Sequence, residues 1–265
     1  MAKKLIALFV LLLTNTGCEI GYLLQASDGQ YKLLSKKVSF SKALSDPRID
    51  DETKRKIKLV QKVKIFAEKQ MSLSKTKNYE SFVMLDEKYV TWAVTASPKD
   101  KLAPYVWHFP IVGNVPYKGF FKKSSALEEG ESLRKQNLDV LVRGVAAYST
   151  LGWFSDPLLS SQTREDDYDI VDTIIHESTH ATLYIKSNAD FNERLATFVG
   201  ERGARLFYEM EEGLDSPTLR KAQDIRADAK VFNDFIQKEI KDLEDFYKAN
   251  QGNSLILDLR KKEFE

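Results

Sequence analysis

The sequence predicts an α+β fold in which a small β-sheet lies beside a helical region that carries a His-Glu-x-x-His helix. Three observations predict it. Between about residues 89 and 149 the chain has runs of β-branched and aromatic residues, the chemistry of strands. From about residue 165 onward apolar residues recur at steps of three and four, the period of helices. Within that helical part lies His176-Glu177-Ser178-Thr179-His180, in a chain that has only three histidines.

The first 17 residues read as a signal peptide. Lys3 and Lys4 precede an apolar run over residues 5–13, too short to cross a bilayer and long enough for a secretory core segment. Thr16 and Gly17 then precede Cys18, the one cysteine of the chain. Small residues before that cysteine resemble a bacterial lipoprotein cleavage site, although Asn15 stands where such boxes carry leucine. The reading implies cleavage before Cys18, a lipid on its sulfur, and a protein held to a membrane of the bacterial cell envelope. It also leaves no partner for a disulfide. Residues 18–50 are then a membrane-proximal helix or tether, and residues 51–265 one domain.

Residues 50–70 form an amphipathic helix, with Ile57, Val60, Val63 and Ala67 on one face and lysines on the other. Strands follow at 89–94, 105–112 and 140–149. Gly113-Asn114-Val115-Pro116 signals a turn, and Ser125 with Glu128 forms a capping box for a helix reaching Gln136. Helices then cover 169–186 and 190–210. A third opens at Ser216-Pro217, where Ile225, Phe232, Ile236, Ile240, Leu243 and Tyr247 make a stripe that predicts core packing. With 40 basic against 39 acidic residues and no basic patch, nucleic acid is not an expected partner.

On a helix His176 and His180 share a face, so both imidazoles can bind one zinc ion, with Glu177 beside it to act on water. Zinc needs a third protein ligand. Positions 183 and 186 are Leu and Lys, which excludes the pattern that places Gly and a third His there, and His108 is far upstream. Glu193, on the first turn of the returning helix, is the expected ligand. Gly200 and Gly203 on that helix predict a close approach of two helices, since glycine inside a helix costs about 1 kcal/mol relative to alanine.

Four ordered segments carry a family resemblance. They are Phe109-Pro110-Ile111-Val112-Gly113 with Val115 to Phe120, then Ala147-Tyr148-Ser149-Thr150-Leu151-Gly152-Trp153-Phe154-Ser155-Asp156-Pro157-Leu158, then the metal box, then Phe191-Asn192-Glu193 with Ala196-Thr197-Phe198-Val199. Together they resemble the predicted bacterial aminopeptidases, a group of envelope zinc-peptidase homologues. The resemblance implies a zinc-peptidase-like fold, a peptide or protein substrate and an aminopeptidase activity. The wider class often has an aspartate four residues after its glutamate ligand; here Thr197 stands there, which leaves Asp169, Asp172 or a backbone carbonyl to support the histidines.

The expected chemistry is peptide-bond hydrolysis, with zinc on His176, His180 and Glu193 and with Glu177 as general base. Tyr148, Tyr117, Tyr184 and His108 are candidate oxyanion donors, Tyr148 foremost. Glu165, Asp166, Asp167 and Glu201 are candidates for holding a substrate's free amine. Two other readings keep the same site: an envelope endopeptidase or processing protease, and a non-catalytic lipoprotein steadied by zinc.

Overall fold

The computed structural model describes residues 21–109, 113–147, 155–186 and 188–264. The signal segment, Cys18, Tyr148 and Trp153 lie outside the described residues. The chain is mixed α and β, in two compact units whose segments interleave. One unit takes residues up to 35, 91–145 and 238–265; the other takes 36–90 and 146–237.

In the first unit, helix α1 covers residues 21–35. Strand β3 (Thr91–Pro98) pairs antiparallel with both β6 (Lys118–Phe120) and β7 (Leu138–Val145). Strand β4 (Trp107–Phe109) pairs with β5 (Gly113–Val115). The segment expected as a turn is therefore largely strand, and its glycine takes φ +78°, a conformation that suits a residue without Cβ. Helix α4 (Lys123–Lys135) starts two residues before the expected cap; its N-cap is Lys122, without a side-chain cap bond, so Ser125 lies inside the helix. Val94, Ala96, Trp107, Phe120, Ala126 and Leu133 form the core of this unit.

The second unit holds the His176–His180 box. Helix α2 (Phe40–Ser45) leads to α3 (Asp51–Lys69). Asp50 caps α3, its carboxylate accepting from the Thr53 amide and hydroxyl at 2.8 Å each. The apolar face expected on α3 is buried at Ile57, Val60 and Val63. Strand β1 (Val38–Ser39) pairs antiparallel with β2 (Ser81–Val83), which pairs parallel with β8 (Leu158–Leu159). The sheet in this unit is thus not the one the sequence predicts; the expected strands build the other unit. Short buried strands such as Ser81–Val83 carry no alternation to read.

Helices α5 (Asp167–Thr182) and α6 (Ala189–Glu212) complete this unit. Ile170, Val171, Ile174 and Ile175 of α5 join Ala204, Phe207 and Tyr208 of α6 and the α3 face in one core. Asp167 ties α5 to α3, accepting from Arg55 at 2.6 and 2.7 Å and facing Lys56 at 2.8 Å. Gly213, at φ +84°, ends α6. Ser216 is fully buried and its Oγ accepts from the Leu219 amide at 3.1 Å, opening α7 (Pro217–Ala249).

Helix α7 corrects the core-packing expectation. Leu219 and Ala222 enter the core of the second unit, and Tyr247 is buried near the other end. Between them Ile225, Phe232 and Ile240 are exposed. The boundary of the two units falls within this helix, and its middle packs on neither core. Helix α8 (Ile256–Glu263) follows.

Candidate metal centre

Helix α5 presents its polar box along the edge of its buried face. Ile174, Ile175 and Thr179 are inside, while His176, Glu177, Ser178 and His180 are half-buried. The two hydroxyls of the box are bonded within the helix: Ser178 Oγ donates to Ile174 O at 2.7 Å and Thr179 Oγ1 to Ile175 O at 2.9 Å. The imidazoles and the Glu177 carboxylate carry the remaining side-chain polar atoms of the box.

The chain leaves α5 at Leu183 in an extended conformation and returns as α6. Asn192 fixes that return. It is buried, its Oδ1 accepts from the Ile185 amide at 2.9 Å, and its Nδ2 donates to the Ile185 carbonyl at 2.8 Å. The next residue, Glu193, then faces the histidines. Its Oε2 lies 3.5 Å from His176 Nε2, and its Oε1 lies 3.5 Å from His180 Nε2. The two Nε2 atoms are 3.1 Å apart.

These spacings fit a metal ion. Donors about 2.0–2.1 Å from a tetrahedral zinc stand about 3.4 Å from one another. Two nitrogens and a carboxylate oxygen are also the donor set zinc favours. Burial, and then the neighbouring His180, push the His176 imidazole below its usual pKa, against the pull of Glu193. A lowered pKa favours the neutral ring that a cation requires. The Glu193 side chain is 62% exposed, so the site opens to solvent on the α6 side.

Gly200 explains how closely α5 and α6 approach. A Cβ built there would lie 2.3 Å from Asp172 Oδ1 and 3.3 Å from His176 Cβ. At Gly203 it would lie 2.9 Å from Ile175 Cδ1. Both glycines serve the close packing expected of them. Thr197 is exposed. Asp172 is different: its Oδ1 is buried without a hydrogen-bond partner, and burial, reinforced by Glu201, raises its pKa to about 6.

Of the candidate oxyanion donors, Tyr184 is near the candidate ligands, its ring centroid 6.3 Å from that of His180. Tyr117 and His108 belong to the other unit, and His108 Nδ1 bonds Asn114 Oδ1. Three of the four candidate amine-binding carboxylates already face cations. Asp166 meets Lys221 at 2.8 Å, Asp167 meets Arg55, and Glu201 meets Arg226 at 3.7 Å. Glu165 accepts a bond from Lys56 on its backbone oxygen.

Two residues of the site gave no sequence signal of their role. One is Asn192. The other is Tyr79, a buried tyrosine at φ +55°. Burial raises its pKa well above the usual phenol range, and the Glu177 carboxylate adds to the rise, which places that acid within electrostatic reach of the phenol.

No curated protein and no solved structure matches the chain. A family model described as "Putative aminopeptidase" matches residues 21–265, and over that span both units are included. The chain belongs to that aminopeptidase family.

Proposed function

We propose that this protein is a zinc-dependent aminopeptidase, held at a bacterial envelope membrane through a lipid on Cys18. Family membership supports a peptidase with a peptide substrate. The observation that carries the metal reading is the spacing of His176, His180 and Glu193, whose ligand atoms all lie within 4.8 Å of one another.

A zinc ion held by His176, His180 and Glu193 would supply a Lewis acid that activates water near neutral pH and polarises a carbonyl. The residues do the rest. His176 and His180 offer their Nε2 atoms, and Glu193 offers a carboxylate oxygen from a helix held by Asn192. Glu177 is the general base. It follows His176 directly on α5, takes a proton from the attacking water, and returns one to the nitrogen of the departing amine. Tyr148, outside the described residues, is the proposed donor of a hydrogen bond to the carbonyl oxygen as charge develops on it, with Tyr184, whose ring centroid lies 6.3 Å from that of His180, as the alternative.

Among the described residues no helix is long and apolar enough to cross a membrane. The anchor in this proposal is the lipid alone, with residues 1–17 removed as a signal peptide.

The test is Glu177→Gln in the full-length chain. Zinc affinity stays within about twofold of the parent, and turnover of a peptide with a free N-terminus falls by about 10²–10⁴. Undiminished turnover would sink the mechanism. Faster cleavage of N-terminally blocked peptides would reassign the activity to an endopeptidase.

A further inference from the structure

A cavity of about 180 Å³ opens along α5, just ahead of the His176–His180 box. Its floor is apolar and buried, made by Leu158 of β8 and by Ile170 and Ile174 of α5. Ala146 and Ala147 form a wall whose short side chains leave the space clear. Glu165, Asp169 and Thr173 stand exposed at its rim. The size suits one side chain, since a cavity of about 150 Å³ holds a benzene ring.

Two independent observations join this cavity to Glu177. The first is helix geometry. Ile170, Thr173, Ile174 and Glu177 are spaced i, i+3, i+4 and i+7, so one face of α5 carries three lining residues and then the acid. Thr173 lies three residues before His176 and four before Glu177, about 6 Å along the axis from the latter. It is a surface neighbour of both. The second is Gln162, a buried wall of the cavity. Its Oε1 accepts from the Leu159 amide at 2.9 Å. Its side chain also bonds the Tyr79 phenol, the buried group that feels the Glu177 charge. Tyr79 thus connects the cavity wall to Glu177.

A peptide whose carbonyl is attacked beside Glu177 must also put the side chain of that residue close by, because only the α-carbon separates the two. For cleavage at a free N-terminus, that residue is the first. We propose that this cavity receives the first side chain of the substrate, that it fits an apolar side chain of about leucine size, and that Thr173 sets the width of its mouth. This rests on the aminopeptidase reading of the site. Burial against Leu158, Ile170 and Ile174 holds the substrate with its carbonyl toward Glu177. The rim carboxylates of Glu165 and Asp169 disfavour an acidic side chain.

The test uses the full-length parent and Thr173→Leu, both supplied with zinc, and the p-nitroanilides of leucine, glycine, lysine and glutamate. The parent is expected to prefer leucine over glycine by about 10–100-fold in kcat/KM, with lysine below leucine and glutamate below glycine. Thr173→Leu, which narrows the mouth from an exposed position, cuts the leucine-to-glycine ratio about tenfold. Calorimetry on Glu177→Gln, with leucine amide and glycine amide as probes, gives the same order without turnover. A parent that prefers glycine, lysine or glutamate would overturn the inference while leaving the peptidase standing. An unchanged ratio in Thr173→Leu would do the same, since a merely structural effect lowers both substrates alike. Should Thr173→Leu fail to fold, the parent's ranking and the Glu177→Gln binding decide, and equal binding of the two amides overturns the inference. A parent that cleaves none of the anilides would remove the aminopeptidase reading, and this inference with it.

Discussion

At the scale of single residues, the centre is a set of local demands met by particular side chains. Gly200 is the sharpest case. An alanine there would place a methyl group 2.3 Å from Asp172 Oδ1 and 3.3 Å from His176 Cβ. Gly200→Ala is therefore expected to destabilise the chain by about 1–3 kcal/mol and to weaken zinc binding through the displaced His176. Denaturant unfolding and metal titration check the two effects. Unchanged stability would mean that α5 and α6 are free to separate. The cluster of His176, His180 and Glu193 was legible in the sequence because its chemistry is local. Two histidines four apart need only a helix to meet, and Glu193 needs only a turn between helices. Tyr79 was not legible, since nothing near it in sequence says that it folds to within reach of the Glu177 charge.

At the scale of elements, the α5–α6 return decides whether Glu193 reaches the histidines. Asn192 holds it with two hydrogen bonds to Ile185. Asn192→Ala would leave the Ile185 amide and carbonyl without their buried partner. The expected loss is about 2–3 kcal/mol, together with weaker zinc binding, measured by thermal unfolding with and without zinc. Undisturbed binding would show that the return is fixed by something else. The types of the long helices were readable from periodicity, and their ends less so. Helix α5 stops at Thr182, short of the expected Lys186, because Leu183 turns extended to start the return. The expected capping box at Ser125 failed for a similar reason: α4 had already begun at Lys123. The stripe on α7 had the period of a core helix and is exposed in its middle, since period reports a face and not what covers it.

At the scale of the whole molecule, two carboxyls give stability opposite slopes with pH. Hydrogen bonds from Arg55, aided by Lys56, hold the Asp167 pKa at about 2, so its contribution is present above the unfolded pKa near 3.9 and is lost as pH falls toward 2. Asp172 works the other way. With its pKa raised to about 6 the folded chain holds a proton that the unfolded chain gives up, so stability drops as pH rises from about 4 to 6. The drop is on the order of 1–2 kcal/mol after solvent screening. The metal-free parent is expected to show it in a melting-temperature profile, and Asp172→Asn to lack it; a drop that survives in the variant belongs to another group. What the sequence hid at this scale is the interleaving, because strand chemistry does not reveal which strands will share a unit. Its consequence concerns synthesis. The three-stranded sheet of the metal unit draws on Val38–Ser39, Ser81–Val83 and Leu158–Leu159. All of residues 91–145 must leave the ribosome before its last strand exists. The nascent chain must therefore hold the first half of that unit unfinished while the inserted segment is made, a long-range closure of the kind that slows folding and invites help from chaperones.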